Sequence, residues 1–247
     1  MKSIVLSVIV LAVLFSAQAS AGELTADEVL KKSDDVANEP KDQDLKMKLI
    51  LIDKKGKEKE RVMTMLQKGS DKRMVKFLSP ADQKGIGFLD LPDDVMYLYL
   101  PAFKKVRRIA SHVKNQKFAG TDFTYDDMGT INYSEDYDAK FIKKTEEHFI
   151  LELTPEKGKE KDYGKLHFWV RKDNFYPEKI EYYDKDGKLW KVLERSKIEK
   201  VSGHWIAKEV EMSDLKDEHK TKMIIQEVKF DTGLKDKLFS ERYLKRK

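Results

Sequence analysis

The side chains that could do chemistry in this chain are few, and their spacing is poor for it. Five histidines (His112, His148, His167, His204 and His219) offer imidazoles for acid–base or metal work, but no two stand four residues apart and no HExxH run occurs. There is no Gly-x-Ser-x-Gly elbow for a serine nucleophile. A GxxxxGK[ST] phosphate loop is missing as well, and Gly85-Ile86-Gly87 lacks the third glycine of a dinucleotide fingerprint. Asp126-Asp127 could act as an acid–base pair, which requires surroundings that split the two pKa values. In a chain with 38% charged residues, a solvated pair is the simpler reading. The absence of cysteine excludes thiol nucleophiles, thiolate metal sites, disulfides and a lipid-modified N-terminal Cys. These residues lead us to expect no catalytic site, no cofactor and no metal.

One charged run stands out. Lys104-Lys105-Val106-Arg107-Arg108 has the composition of a nuclear signal or a nucleic-acid patch. Two other readings are the solvent face of a strand and a contact for anionic headgroups or an acidic partner, where each cation is worth about 1 kcal/mol. Across 247 residues, 49 Lys+Arg face 44 Asp+Glu, for a net charge of +5. That excess is too small and too evenly spread to identify nucleic acid as the partner. With 40% apolar residues the chain has enough for a core, and its balanced charge argues against disorder.

The N-terminus indicates a compartment. Lys2 is a short basic region, Ile4 to Phe15 is apolar apart from Ser7, and Ala19-Ser20-Ala21 offers small residues for cleavage. The apolar run is shorter than the roughly 20 residues a membrane span needs. Residues 1–21 therefore read as a cleaved signal peptide, the alternative being an uncleaved anchor. The mature chain, 22–247, is expected to be exported and, in a Gram-negative cell, periplasmic, and it reads as one domain.

The elements that would position any site begin with a helix over 24–38. Thr25 and Glu28 form a capping box, Leu24 and Val29 can staple it, and Val29, Leu30, Ser33, Val36 and Ala37 share a face until Pro40. Almost everything after it reads as strands: around 45–51, 61–67, 73–78, 95–100, 105–110, 139–142, 148–153, 165–171, 179–183, 189–194, 205–212 and 220–230. Glycine-bearing turns at 53–56, 184–187 and 202–203 join some of them. Such spacing predicts a large antiparallel sheet, a barrel or a strongly curved half-barrel.

Several strands alternate apolar and polar residues, as a sheet with one wet face should. The strand Val95-Met96-Tyr97-Leu98-Tyr99-Leu100 is apolar on both faces. It is either covered on both sides or part of a concave wall with more apolar surface than one helix can cover. Met47, Met63, Met65, Met74 and Met96 suit an adaptable apolar surface as well as a core. Residues 112–130 form the longest connection without strand character. Their Phe118, Phe123, Tyr125 and Met128 predict a lid or plug at the mouth of the sheet.

Three segments together resemble a known family: Val75-Lys76-Phe77-Leu78-Ser79-Pro80-Ala81-Asp82-Gln83-Lys84-Gly85, Tyr97-Leu98-Tyr99-Leu100-Pro101-Ala102-Phe103-Lys104-Lys105-Val106-Arg107-Arg108-Ile109, and Asp122-Phe123-Thr124-Tyr125-Asp126-Asp127-Met128. In this order and spacing they look like the outer membrane lipoprotein-sorting proteins, relatives of the periplasmic lipoprotein carrier LolA. The resemblance implies a mainly β fold: an incomplete antiparallel β-barrel with a few helices over its open, concave side and an apolar cavity between. It implies non-catalytic carriage of lipid or lipoprotein acyl chains towards the outer membrane, and association of this branch with RND-type (MmpL-like) exporters. Arg107 and Arg108 match the branch motif without a known role.

On this reading Leu49, Leu51, Met65, Phe77, Met96, Leu98 and Leu100 are candidate cavity-wall residues, and Phe123, Tyr125 and Met128 are candidate lid residues. Lys104, Lys105, Arg107 and Arg108 are the candidate headgroup or partner contacts. A one-residue slip would turn every wall position outward. The alternative function is an accessory module of the exporter without its own lipid cargo. A hydrolase of envelope lipids would need a Ser, His or Asp cluster inside the cavity.

Overall fold

The computed structural model describes residues 23–129, 132–159 and 161–246. The expected signal segment, 1–21, lies outside the described residues. Helix α1 (Ala26–Ala37) starts at the expected capping box: the Thr25 hydroxyl accepts from Glu28 N, and the Glu28 carboxylate accepts from Thr25 N at 2.8 Å. Its buried face is Val29, Leu30, Ser33 and Asp34, whereas Ala37 is exposed, so the expected stripe ends one turn early.

Thirteen strands follow: β1 (Asp42–Ile52), β2 (Glu58–Lys68), β3 (Lys72–Ser79), β4 (Gly87–Leu91), β5 (Val95–Leu100), β6 (Lys105–Arg108), β7 (Tyr137–Lys144), β8 (His148–Pro155), β9 (Lys165–Arg171), β10 (Pro177–Tyr183), β11 (Leu189–Val201), β12 (His204–Asp214) and β13 (His219–Phe230). They form one antiparallel sheet in the order β6-β5-β4-β3-β2-β1-β13-β12-β11-β10-β9-β8-β7. The edges β6 and β7 do not pair, so this is the expected incomplete barrel. Strand β4 was not foreseen, because five residues led by glycine carry too little alternation to register. Strand β11 runs well past Glu194 to Val201, where only Ile198 and Val201 interrupt a polar run and no alternation remains. Among the described residues no helix is long and apolar enough to cross a membrane.

Except in the edge strand β6, the alternation places an apolar row of each strand on the concave face. Leu45, Met47, Leu49 and Leu51 of β1 are buried there, as are Leu166, Phe168 and Val170 of β9. The convex side carries a second, smaller core of Met74, Leu89, Phe239 and Leu244, with Tyr97, Tyr99 and Val106 packed against it. Residues 231–246, with a 3-10 turn at Asp236–Leu238 and helix α4 (Glu241–Leu244), cover it. The tail lies so close that a Cβ on Gly87 would stand 2.7 Å from Leu244 Cδ1. Lys76 Nζ donates to Tyr243 O at 2.6 Å and to Arg246 O at 3.0 Å. The doubly apolar β5 is therefore covered on both faces, Met96 and Leu98 inward and Tyr97 and Tyr99 outward.

Candidate functional site

Two elements cover the concave wall. Helix α1 lies against β7, β9 and β12. Asp27 Oδ1 accepts from Ala139 N at 3.0 Å, and Asp34 Oδ2 accepts from Ser134 N at 2.7 Å. The rest is covered by the connection between β6 and β7, here called the plug. It contains 3-10 turns at Ser111–Val113 and Phe118–Gly120, then helices α2 (Tyr125–Met128) and α3 (Tyr133–Asp136).

The plug fills the hollow with aromatic rings. The Phe118 ring stacks on Phe77 at 5.6 Å and meets Phe88 at 5.7 Å and Tyr125 at 5.6 Å. Phe77 is 1% exposed, and Phe118, Phe88 and Leu49 have no accessible surface, so no water-sized space adjoins them. Phe123 and Met128 are also buried. The chain's own side chains thus fill the concave hollow.

Polar contacts pin the plug along its length. At its tip, Arg61 of β2 donates to Ala119 O. Next, the fully buried Asp122 meets three side chains: from β13, Thr221 Oγ1 donates to its Oδ2 at 2.7 Å and His219 Nδ1 lies 2.7 Å from the same oxygen, and from the plug itself Lys117 Nζ is 3.2 Å from Oδ1. The buried ammonium of Lys191 donates to Asp122 O at 3.0 Å and to the Tyr163 hydroxyl at 3.1 Å, and lies 3.6 Å from Asp127 Oδ2. Asp127 in turn caps α2, accepting from Thr124 N at 2.8 Å. At the far end, Arg73 donates to Met128 O at 3.1 Å, to Gly129 O and to Gln67 Oε1. Gly129 sits where a Cβ would stand 2.9 Å from Met96 Cε, so the chain there lies directly on the floor of the sheet.

The electrostatics follow from burial. Desolvation raises the Asp126 carboxyl to about 6, with Asp127 adding to the rise and Lys161 opposing it. It raises the hydroxyls of Tyr163 and Tyr182 well above the usual range and lowers the Arg73 guanidinium to about 10. Burial alone would lower Lys117, but the carboxylates of Asp217 and Asp214 override it and hold that ammonium above its ordinary value. Asp126, Asp127, Asp136, Lys161 and Tyr163 help line a polar cavity of about 40 Å³, room for a few waters. The Asp126-Asp127 pair is thus not the solvated pair expected. The His219–Asp122–Thr221 cluster lacks the order of a hydrolytic triad, because the hydroxyl bonds the carboxylate rather than the imidazole. Among the described residues no three His, Asp or Glu side chains could hold a metal ion.

Of the expected wall residues, Leu49, Leu51, Phe77 and Met96 belong to the concave core, and Met65 and Leu98 pack against it. Leu100, at the strand end, is half-buried and belongs to neither core. Phe123 and Met128 are buried in the plug, and Tyr125 packs at its margin. Lys104, Lys105, Arg107 and Arg108 are exposed at the β6 edge, with Arg107 paired with Leu98 on the concave face and Arg108 paired with Tyr97 on the convex one. Sequence reasoning missed Phe118 as a site residue, together with the cations Arg61, Arg73 and Lys191. A signal for the cations existed, since Arg61-x-Met63-x-Met65, Arg73-x-Val75-x-Phe77 and Lys191-x-Leu193 each put a cation in register with an inward apolar row.

Residues 69–246 match the model of a family described as "Uncharacterized protein". No curated protein matches the chain. Among solved structures, an outer membrane lipoprotein-sorting protein domain from Vibrio parahaemolyticus is similar, at 28% identity and TM-score 0.78, over 88% of this chain and 100% of that one. A DUF1329 family protein from Desulfovibrio piger is similar at 28% identity and TM-score 0.83, over 89% and 97%. A LolA superfamily protein from Nitrosomonas europaea shares the fold at 22% identity and TM-score 0.75, over 90% and 100%.

Proposed function

Since the chain belongs to the family matched over residues 69–246 and has the fold of the LolA-like lipoprotein-sorting proteins, we propose that it is a non-catalytic periplasmic carrier of lipid or lipoprotein acyl chains. Residues 22–247 act as one domain in this reading, with 1–21 removed on export. Cargo lies on the wall formed by Leu49, Leu51, Met65, Phe77, Met96, Leu98 and Leu100, in the place now taken by Phe118, Phe123, Tyr125 and Met128. The observation that carries the reading is that an open apolar wall is filled by a segment outside the sheet, tied down by side-chain polar contacts.

The magnitudes allow the exchange. An acyl chain of about fifteen methylenes gains about 12 kcal/mol on burial. Withdrawing three or four plug side chains forfeits about 1.5–3 kcal/mol each, so about 4.5–12 kcal/mol in all, no more than the acyl chain supplies. Cargo can therefore displace the plug, and an empty carrier can close on itself without exposing its wall to water.

Native mass spectrometry of protein purified from the periplasm tests this. Co-purifying lipid is expected, and Leu98→Asp should fold, bind less lipid and shift the population to the apo mass. If that variant folds and binds lipid like wild type, Leu98 does not line the site. A second reading, an accessory module of an RND-type exporter, is favoured by the same filled hollow. A clean apo mass together with tight exporter binding would decide for it.

A further inference from the structure

We infer that the rim of the half-barrel from which the plug tip emerges docks on an anionic phospholipid surface. In an antiparallel sheet successive turns alternate between two rims. The turns 53–57, 80–86 and 101–104 therefore fall on one rim, with 215–218, where β12 turns into β13. The first three are neighbours along the sheet, and a Cβ on Gly85 would stand 3.4 Å from Pro101 Cγ, so two of them touch. The plug tip reaches this rim too: Ala119 is held by Arg61 at the start of β2, and Lys117 is paired with Asp217.

This rim is built like an interfacial anchor. Phe103, 63% exposed, stands at the apex of the 101–104 turn, and Leu78 and Leu215 are also exposed at this end. Around Phe103 the three neighbouring turns hold Lys54, Lys55, Lys57, Lys84 and Lys104 against Asp53 and Asp82, and β6 adds Lys105, Arg107 and Arg108. Among the described residues no salt bridge engages any of these cations. Asp53 is turned into its own loop, accepting from Lys55 N at 2.9 Å and from Lys57 N at 3.0 Å. The opposite rim has the opposite sign, with exposed Asp71, Asp93, Asp94, Glu146, Glu147 and Asp173 in its turns. An aromatic apex ringed by free lysines suits a bilayer, where the ring enters the headgroup layer and the ammonium groups stay among the phosphates. An acidic protein would use the lysines but leave Phe103 without a role. The acidic rim would be repelled, so the molecule would arrive with its plug tip facing the membrane.

The test is sedimentation of the full mature chain, stripped of lipid, with vesicles of phosphatidylcholine containing about one-third phosphatidylglycerol. Binding is expected to weaken with salt and to be absent on phosphatidylcholine alone. Lys104→Glu/Lys105→Glu should lower it at least about 25-fold, and Phe103→Ser about tenfold. Asp93→Asn/Asp94→Asn on the other rim should not weaken it. Circular dichroism and melting confirm folding of each variant, which is expected because every substituted side chain is exposed. If wild type ignores anionic vesicles, if it binds only a soluble acidic polypeptide, or if the Phe103 and Lys104/Lys105 variants bind as wild type does, the inference is overturned. The assay scores attachment rather than cargo, so it fails separately from the carrier reading: lipid in the native mass with no vesicle binding would sink only the docking proposal.

Discussion

Helix α1 and the plug lie on the same concave wall, but they are held there differently. Val29 and Leu30 of α1 have no accessible surface, and the helix adds two carboxylate contacts to backbone amides, Asp27 to Ala139 N and Asp34 to Ser134 N of α3. Its attachment thus combines an apolar face with fewer polar ties than the plug has. The plug also buries rings, but its backbone has little regular structure and is anchored by Arg61, Asp122, Lys191 and Arg73. Apolar burial is non-directional and lost only by degrees as surface is uncovered. Buried charge-assisted contacts depend on geometry and protonation, and each can be released as a discrete event. On the carrier reading α1 is a permanent part of the wall and the plug is the part built to leave.

The largest effect should come from the permanent part. Leu30→Ala empties a fully buried site and should cost about 2–5 kcal/mol. For a chain of this length each kcal/mol lowers the melting temperature by about 2–4 °C. The loss should be global, with hydrogen exchange rising throughout β7, β9 and β12 as well as in α1. If the sheet keeps its protection and only α1 frays, the helix is as detachable as the plug and the contrast is broken.

Asp122→Asn should be smaller and local. It keeps the shape of the side chain but removes the charge that Lys117 and His219 face, which is worth about 2 kcal/mol for hydrogen bonds to a charged group. The expected readout is faster tryptic cleavage after Lys117, with a change in urea midpoint well below that of Leu30→Ala. A variant that is cleaved at the wild-type rate, or that melts as early as Leu30→Ala, would make the plug an ordinary piece of core.

The same contrast governs what could be read from the residues alone. Helix α1 was legible because a capping box and an apolar stripe are local signals, and most strands were legible because alternation has a period of two. The reading Lys165–Arg171 coincides with β9. Strand β4 and the convex cover were not legible. Gly87–Leu91 is too short to show a period, and Phe239 and Leu244 earn their burial only by docking on strands more than a hundred residues earlier. The plug could be placed as a lid or plug from its aromatic content, but its fastening could not. Asp122 meets Thr221 and His219 across nearly a hundred residues of chain, and no spacing within 112–130 announces them. The inward cations were visible as interruptions of apolar rows, yet a row headed by Arg73 becomes a clamp only once the carbonyls of Met128 and Gly129 are brought to it.

Asp126 sharpens the contrast with the smallest effect, because it makes the plug sensitive to pH. Burial raises its carboxyl to about 6 in the folded protein, whereas in the unfolded chain it titrates near the ordinary aspartate value. Between those values the folded state binds more protons, so stability falls as pH rises through that window, and the full cost is present above about pH 6. A fully dry group with that shift would cost about 3 kcal/mol. Half-buried beside Lys161, Asp126 should cost about 1 kcal/mol after solvent screening. Asp126→Asn should therefore raise the melting temperature by about 2–4 °C at pH 7.5 and leave it unchanged near pH 4. Tryptic cleavage after Lys117 should be faster at pH 8 than at pH 6 relative to an unfolded control peptide, and the substitution should flatten that dependence. Equal flattening at a site in α1 would mean that the titration loosens the whole wall, and the plug would lose its claim to be a separately released part.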